Sequence, residues 1–255
     1  MRPPRIGIFI QARANSSRLP GKIFATLDPR DPQSSVLGTI YRRLSCMSGA
    51  HTVILVPEND PTLIDWCRSQ GFEYFAGPED DVRLRYRQAA RRYDVDVIVR
   101  ATGDNPCVDP DVTIDTVREL LASDADLLSF GNLPLGVAVE AMRRDALFSD
   151  LIEAEDMHRE HVSLHIKHNP ELYRVLHPDH ALAPARGTQS LPRLTVDTAE
   201  DLEVVRAVFT KLGPRFRTGQ ILNLYRAAPE LFAANQDIQQ RTFACRTLEP
   251  VRRSS

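Results

Sequence analysis

Ile6-Gly-Ile-Phe-Ile10, followed by Gln11-Ala-Arg-Ala-Asn-Ser-Ser-Arg-Leu-Pro-Gly-Lys22, decides how this chain folds. A compact run that is apolar on both faces is the pattern of a buried strand in a parallel sheet. In open α/β sheets ligands sit where such strands end. The loop after the run carries three cations, Arg13, Arg18 and Lys22, which therefore stand at the expected binding edge. A nucleoside triphosphate brings roughly four negative charges, and forked Arg with point-charge Lys are the side chains suited to neutralise them. A solvated basic turn is the plain alternative. The segment is not a Walker A loop, because Lys22 is followed by Ile23 and only Gly21 precedes it; nor is it Gly-x-Gly-x-x-Gly.

Outward from this stretch, helical and strand periodicities alternate. Residues 36–47 place Val36, Leu37, Ile40, Tyr41 and Leu44 at helical spacing, and residues 51–57 read as a second buried strand. Residues 61–71 predict a short helix with Pro near its first turn and Gly at its end. A third helix is expected over 81–93, a strand over 95–101, a helix over 110–122 and a strand over 126–130. Strands separated by helices of this length imply a parallel sheet with right-handed crossovers. Between 132 and 185 the alternation breaks into an extended piece at 137–142 and helical runs at 144–157 and 160–167. Residues 193–198 predict a strand again, followed by helices at 199–212 and 218–228. The expected organisation is one α/β domain over 1–235 and a loosely held tail over 236–255.

Composition narrows the class of partner. The 255 residues suffice to bury a core, and 32 basic against 34 acidic residues create no global field that would recruit nucleic acid. No basic stripe interleaved with aromatics is present. Cys46, Cys67, Cys107 and Cys245 are scattered without a Cys-x-x-Cys pair, which fits reduced thiols in a cytoplasmic protein. The first apolar run is shorter than a signal-peptide core of roughly 7 to 15 residues. Nothing approaches the roughly 18 apolar residues that span a bilayer, so a soluble protein without a membrane partner is expected.

The motifs together resemble one family. Gln11-Ala-Arg13 with Ser17-Arg-Leu-Pro-Gly-Lys22 is similar to the opening signature of the cytidylyltransferases that make CMP-activated acidic sugars. The branch it most resembles is that of spore coat polysaccharide biosynthesis protein F, related to acylneuraminate and 3-deoxy-manno-octulosonate cytidylyltransferases. Further matches follow in the same order: Glu79-Asp-Asp-Val82 with Arg85-Tyr86 and Gln88-Ala-Ala90, Arg100-Ala-Thr-Gly-Asp-Asn-Pro106, Arg159-Glu-His-Val162, and Leu194-Thr-Val-Asp-Thr198 with Glu200-Asp-Leu202. The set spans about residues 5 to 235. The resemblance implies a Rossmann-like, GT-A-like nucleotidyltransferase fold with a mainly parallel central sheet flanked by helices. It also implies CTP and an anionic small-molecule acceptor as partners, and a homodimer whose contact and acceptor region cover about 132–190.

Nucleotidyl transfer requires in-line attack on the α-phosphorus, release of pyrophosphate, and a divalent cation, here Mg2+, to take up phosphate charge. Magnesium usually keeps several waters, so one or two carboxylates at a cleft hold it. Asp104, just past the strand at 95–101, and Asp197, after Leu194-Thr-Val196, are the candidates. In the family the matching aspartates bind the metal; by position alone each is equally a turn or helix-capping Asp. Arg13, Arg18 and Lys22 would hold the triphosphate, with Arg13, Lys22 and Asp104 acting at the reacting phosphates. Arg100 would touch phosphate or fix the acidic loop. Gln11 would bond base or ribose, or is a core amide. The resemblance puts the segment of Asp80 beside the nucleotide, although Asp80 and Asp81 are by default cap residues. Glu140, Arg159 and His161 would line the acceptor pocket. One departure stands out: the family has Gly-x-Asp-Val-Glu where this chain reads Gly136-Val-Ala-Val-Glu140, and Ala138 can bind neither metal nor hydroxyl.

Other patterns point elsewhere. Asp94-Val-Asp96 and Asp124-Ala-Asp126 have the Asp-x-Asp form of many glycosyltransferases, but both precede strands and should lie at the edge away from the ligand. Asp109-Pro-Asp111 is a helix start. His158, His161, His165 and His168 recur at helical spacing and suggest zinc, or packing on a helix without His-Glu-x-x-His. A glycosyltransferase on the same scaffold and a non-catalytic nucleotide binder remain the alternative functions.

Overall fold

In the computed structural model the described residues are 2–16, 18–31, 33–150, 156–185 and 190–238. The run after Arg5 forms β1 (Ile6–Gln11), the centre of the sheet. It pairs in parallel with β2 (Ala50–Pro57) on one side and β4 (Val97–Thr102) on the other. β3 (Tyr74–Gly77) extends the sheet beyond β2. On the far side of β4 lie β6 (Glu140–Arg143), β5 (Leu127–Leu128) and β7 (Val175–Leu176), giving the order β3-β2-β1-β4-β6-β5-β7. β6 runs antiparallel to both its neighbours; the other pairings are parallel.

Both faces of the sheet are covered, and β1 shows why its sequence is apolar throughout. Ile8 and Ile10 point to one face, where they pack with α1 (Val36–Leu44), α2 (Pro61–Ser69), α4 (Pro110–Ala122), α8 (Ala199–Leu212) and α9 (Thr218–Ala227). Phe9 points to the other, against α3 (Val82–Arg92), α5 (Arg144–Phe148) and α7 (Leu164–Lys167). Successive strand side chains face opposite ways, so a strand sandwiched between helix layers has no polar side. The short α6 (Asp156–Glu160) precedes α7, and a 3-10 helix (Pro229–Asn235) follows α9.

Buried polar groups lock the helices onto one another. Arg43 on α1 is 7% exposed and among the described residues pairs with no carboxylate; its guanidinium donates to the carbonyls of Val108, Pro214 and Phe216, each at 2.8 Å, and stacks 4.5 Å from the Phe216 ring. Asp109 caps α4, and its Oδ2 accepts from both the amide and the hydroxyl of Thr218 at 2.6 Å, which ties α4 to the start of α9.

Three sequence expectations need correction. Residues 193–198 are extended but form no strand, only a bridge between Leu135 and Arg193. Their amides serve two different loops: Leu194 donates to the Leu135 carbonyl at 2.8 Å and Val196 to that of Asp104 at 2.7 Å. The helix expected over 144–157 stops at Phe148: Ser149 is extended (φ −63°, ψ 132°), and its carbonyl accepts from Arg83 at 2.7 Å and Arg87 at 3.2 Å; residues 151–155 lie outside the described ones. The extended piece at 137–142 pairs only from Glu140 onward. The tail expected over 236–255 lies outside the described residues after Ile238.

His165 makes stability depend on pH. It is fully buried on α7, its Nε2 donates to the Ala146 carbonyl at 3.1 Å, and its Nδ1 has no partner among the described residues. Burial pushes its pKa from 6.5 down to about 4. The folded ring stays neutral while the unfolded chain takes up a proton, so the contribution is complete above pH 6.5 and declines as pH falls toward about 4. The slope is at most about 1.4 kcal/mol per pH unit. His165→Gln, which keeps a donor for Ala146, should flatten the dependence by that one proton. Urea midpoints of both proteins between about pH 7 and about pH 5 test it, and parallel curves would remove His165 as the cause.

Candidate active site

The site forms where β1 and β4 end. After Thr102 the chain turns at Gly103, whose amide bonds the Gln11 carbonyl at 2.8 Å; a Cβ there would lie 3.0 Å from the Gln11 carbonyl oxygen and from Ala12 Cβ. That close approach seats the Asp104 turn beside the loop after β1. The loop ends in a 3-10 turn, Lys22–Phe24, entered through Gly21 at φ 68°, a left-handed conformation that glycine adopts without strain. Lys22 is thereby turned inward and is only 9% exposed.

Its ammonium joins the two aspartates that the sequence singled out. Lys22 Nζ lies 3.0 Å from Asp104 Oδ2 and 2.8 Å from Asp197 Oδ1. Arg18 Nη2 lies 2.9 Å from the same Asp197 oxygen, and Arg193 Nη2 donates to Asp197 Oδ2 at 2.8 Å. Burial raises the Asp197 pKa, but Lys22, Arg18 and Arg193 outweigh it and hold the carboxyl below its ordinary range. Behind Asp197, Arg193 also pairs with the fully buried Asp201 at 2.9 Å. Asp197 does not follow a strand as expected; it sits in the turn before α8, placed there by the Val196 bond to Asp104.

A second cluster lies along the same edge. Because β6 is antiparallel to β4, its first residue, Glu140, falls opposite Arg100. Arg100 Nη1 is 3.3 Å from Glu140 Oε2, Ser163 Oγ donates to that oxygen at 2.7 Å, and Lys167 pairs with Oε1. Burial works against the Glu140 charge, yet Arg100, Lys167 and Ser163 together bring its pKa down to about 2. Burial lowers the His161 pKa; Glu160 raises it, and the charges of Arg100 and Lys167 lower it again. A cleft of about 190 Å³ lined by Arg100, Thr102, Asn105, Ser129, Ala138, Val139 and Glu140 joins the cluster to the Asp104 turn.

Other expected residues are placed differently. Arg13 is exposed at the loop rim, where its charge lowers the Arg85 pKa after the larger effect of burial. Gln11 ends β1 with its buried Oε1 unpartnered among the described residues. Asp80 is exposed and joins neither cluster; the α3 cap is Asp81, which accepts from the Leu84 amide at 2.6 Å. Arg159 is exposed on α6. Asp94 and Asp96 pair with Arg5, and Asp124 with Arg174, at the opposite edge. The histidines at 158 and 168 contact each other edge to face at 5.9 Å. Among the described residues no three His, Cys, Asp or Glu converge on a metal position. Asp104 and Asp197, gathered around one ammonium, are the carboxylates that could hold a hard divalent cation. The sequence did not single out Arg193, Asp201, Ser163 or Lys167 as site residues; Asp201 entered only within the Glu200-Asp-Leu202 match, and it stands three residues after the Thr198 cap.

Known proteins share this arrangement of sheet and edge. A cytidylyltransferase from Leptospira borgpetersenii serovar Hardjo-bovis superposes with a TM-score of 0.80 at 27% identity, over 93% of this chain and 100% of that one. A CMP:2-keto-3-deoxy-manno-octonic acid synthetase complexed with CTP shares the fold at a TM-score of 0.60 and 18% identity, over 81% and 99%. The molecule is thus a nucleotidyltransferase in class. Spore coat polysaccharide biosynthesis protein SpsF of Bacillus subtilis (strain 168) is 33% identical over 211 residues, 81% of this chain and 87% of that protein. With residues 7–231 matching its family model as well, the chain belongs to the cytidylyltransferase family.

The Lys22 bridge can be tested without substrate. Lys22→Met leaves Asp104 facing Asp197 with no cation between them, while Arg18 and Arg193 still hold Asp197. The expected loss is about 1–3 kcal/mol in urea unfolding at neutral pH. Millimolar Mg2+ should recover part of it in the variant, since a divalent ion takes the ammonium's place. A wild-type midpoint would mean that the bridge adds nothing to the fold.

Proposed function

We propose that the protein transfers CMP from CTP to an anionic small-molecule acceptor, with Mg2+ as cofactor and pyrophosphate as leaving group. The observation that carries this is the meeting of Lys22 with Asp104 and Asp197, three side chains from distant parts of the chain, at the strand ends. Arg13, Arg18 and Lys22 hold the triphosphate, Lys22 and Arg18 passing from the carboxylates to the phosphate oxygens as the nucleotide enters. Preorganised cations of this kind stabilise charge that develops on the leaving pyrophosphate. Asp104 and Asp197 hold the magnesium, which when bound withdraws charge from the phosphates. Gln11 and the Asp80 segment face the nucleoside.

The acceptor enters by the Arg100–Glu140 cleft. Arg100 and Glu140 line it, and Lys167 pairs with Glu140 beside it, so the cluster carries one positive charge in excess and favours a negative group. With a pKa of about 2, Glu140 is too weak a base to take a proton near neutrality and instead orders Arg100, Ser163 and Lys167. Arg159 and His161 flank the entrance. Two relatives support this direction: one is a spore coat polysaccharide biosynthesis protein, and one structural neighbour is a CMP:2-keto-3-deoxy-manno-octonic acid synthetase complexed with CTP. A homodimer through about 132–190 belongs to the same proposal, since Leu135, Met157, Leu172 and Leu182 are exposed there.

A pyrophosphate-release assay with the four ribonucleoside triphosphates, Mg2+ and a panel of sugar acids and phosphate esters tests the reading. CTP should be the one productive nucleotide. Lys22→Ala should lower kcat by about 10²–10³-fold, as loss of a single charge-stabilising donor does elsewhere. Release of a nucleoside diphosphate from a sugar nucleotide, with no pyrophosphate from CTP, would establish a glycosyltransferase instead.

A further inference from the structure

We propose that Arg193, Asp201 and Asn235 are positioning residues that fix the direction in which Asp197 faces the reaction centre. This rests on the role given above to Asp197. Asp201 is fully buried and its carboxylate takes five hydrogen bonds. Arg193 donates through Nε to Oδ1 at 2.9 Å and through Nη2 to Oδ2 at 3.2 Å. The amides of Asp197 and Thr198 donate to Oδ2 at 3.0 and 3.1 Å, and Asn235 Nδ2 donates to Oδ1 at 2.8 Å. A capping box at α8 requires only the Thr198 bond and its reciprocal from the Asp201 amide to Thr198 Oγ1 at 3.3 Å. The remaining bonds do something else.

They converge on Asp197. Arg193 Nη2 reaches Asp197 Oδ2 at 2.8 Å as well as Asp201, so one guanidinium spans both carboxylates. Asn235 Nδ2 also bonds the Arg193 carbonyl at 3.1 Å, fastening backbone and side chain together from the 3-10 helix Pro229–Asn235. Asp197 is therefore held at its amide and at Oδ2 from behind. The other oxygen, Oδ1, is turned toward the loop after β1, where Lys22 and Arg18 touch it. A carboxylate so fixed cannot rotate to exchange its oxygens, and a ligand meets one preset donor. A lysine in place of Arg193 keeps the charge but lacks the fork that spans two carboxylates. Partners that orient a ligand carboxylate are typically worth 10–100-fold in metal affinity or activity.

The test uses the full chain with Mn2+ in place of Mg2+ and a non-reacting methylene analogue of CTP. Electron paramagnetic resonance reads free Mn2+, and urea unfolding reports the fold. Arg193→Lys and Asp201→Asn should weaken Mn2+ binding to the analogue complex by about tenfold or more and lower kcat in parallel. Asn235→Ala, which leaves the capping box intact, should show a smaller loss in the same direction and carries the test if Asp201→Asn does not fold. Variants with lowered urea midpoints but wild-type Mn2+ affinity would show a merely structural network and overturn the proposal. Wild-type protein that binds no Mn2+ with the analogue would overturn the role of Asp197 itself, and the positioning role with it.

Discussion

One ammonium between two carboxylates organises this molecule. Lys22 is separated from Asp104 by 82 positions and from Asp197 by 175, and no local rule brings them together. The sheet does so. β1 and β4 are neighbours, so the loops that leave them share one edge, and the Val196 amide hooks a third segment onto the Asp104 carbonyl. Around this point Lys22, Arg18 and Arg193 face Asp104, Asp197 and Asp201, three charges against three. Burying any one of them alone would be strongly unfavourable, and removing one partner of such a set strands the others.

The reversed strand β6 governs the other half of the edge. Had it run parallel to β4, Glu140 would begin at the opposite rim; antiparallel pairing sets it against Arg100. Lys167 and Ser163 then close on the same carboxylate from the chain leading into and through α7. Ala138 acquires its significance here. It lines the cleft beside Glu140 and Arg100, where the related pattern carries an aspartate. An aspartate at that place would bring the carboxylates of the Arg100–Glu140–Lys167 cluster level with its two cations; alanine leaves the cluster with one positive charge in excess and the cleft with more room. On the proposed reading, the departure shifts the acceptor site toward binding an anion through Arg100 and Lys167.

Much of this was legible in the chain, for identifiable reasons. The apolar run 6–10 gave β1 because a doubly covered strand has no polar face, and Asp109-Pro110 marked the start of α4 by cap chemistry; for α8 the cap read from the sequence was Asp197, one residue before the Thr198 that caps it. Asp104 and Lys22 could be placed at the binding edge because each follows a readable strand. What could not be read depends on contacts across the fold. β3 and β7, four and two residues long, are too short to show a period. Residues 193–198 look like a strand because they are buried and extended, but their amides bond to two loops. Lys167 and Ser163 lie on or beside a four-residue helix whose partner, Glu140, is fixed only by the reversal of β6.

The charge inventory also bears on how such a site is filled. Asp104 and Asp197 share Lys22, so a lone divalent cation entering between them must displace an ammonium from two short ion pairs and gains no excess negative charge in return. A nucleotide that arrives with its cation changes this balance. On the proposed reading, its phosphates would supply new anionic partners for Lys22 and Arg18, and Asp104 and Asp197 would be the carboxylates left to hold the metal. Arg193 and Asp201 take no part in that exchange, since their bonds lie behind Asp197 and away from the cleft. On the proposed reading, the loop residues Arg18 and Lys22 are the moving half of the site and the residues around α8 the fixed half. Cation and nucleotide would then enter together, because each supplies the charge that the other's partners lose.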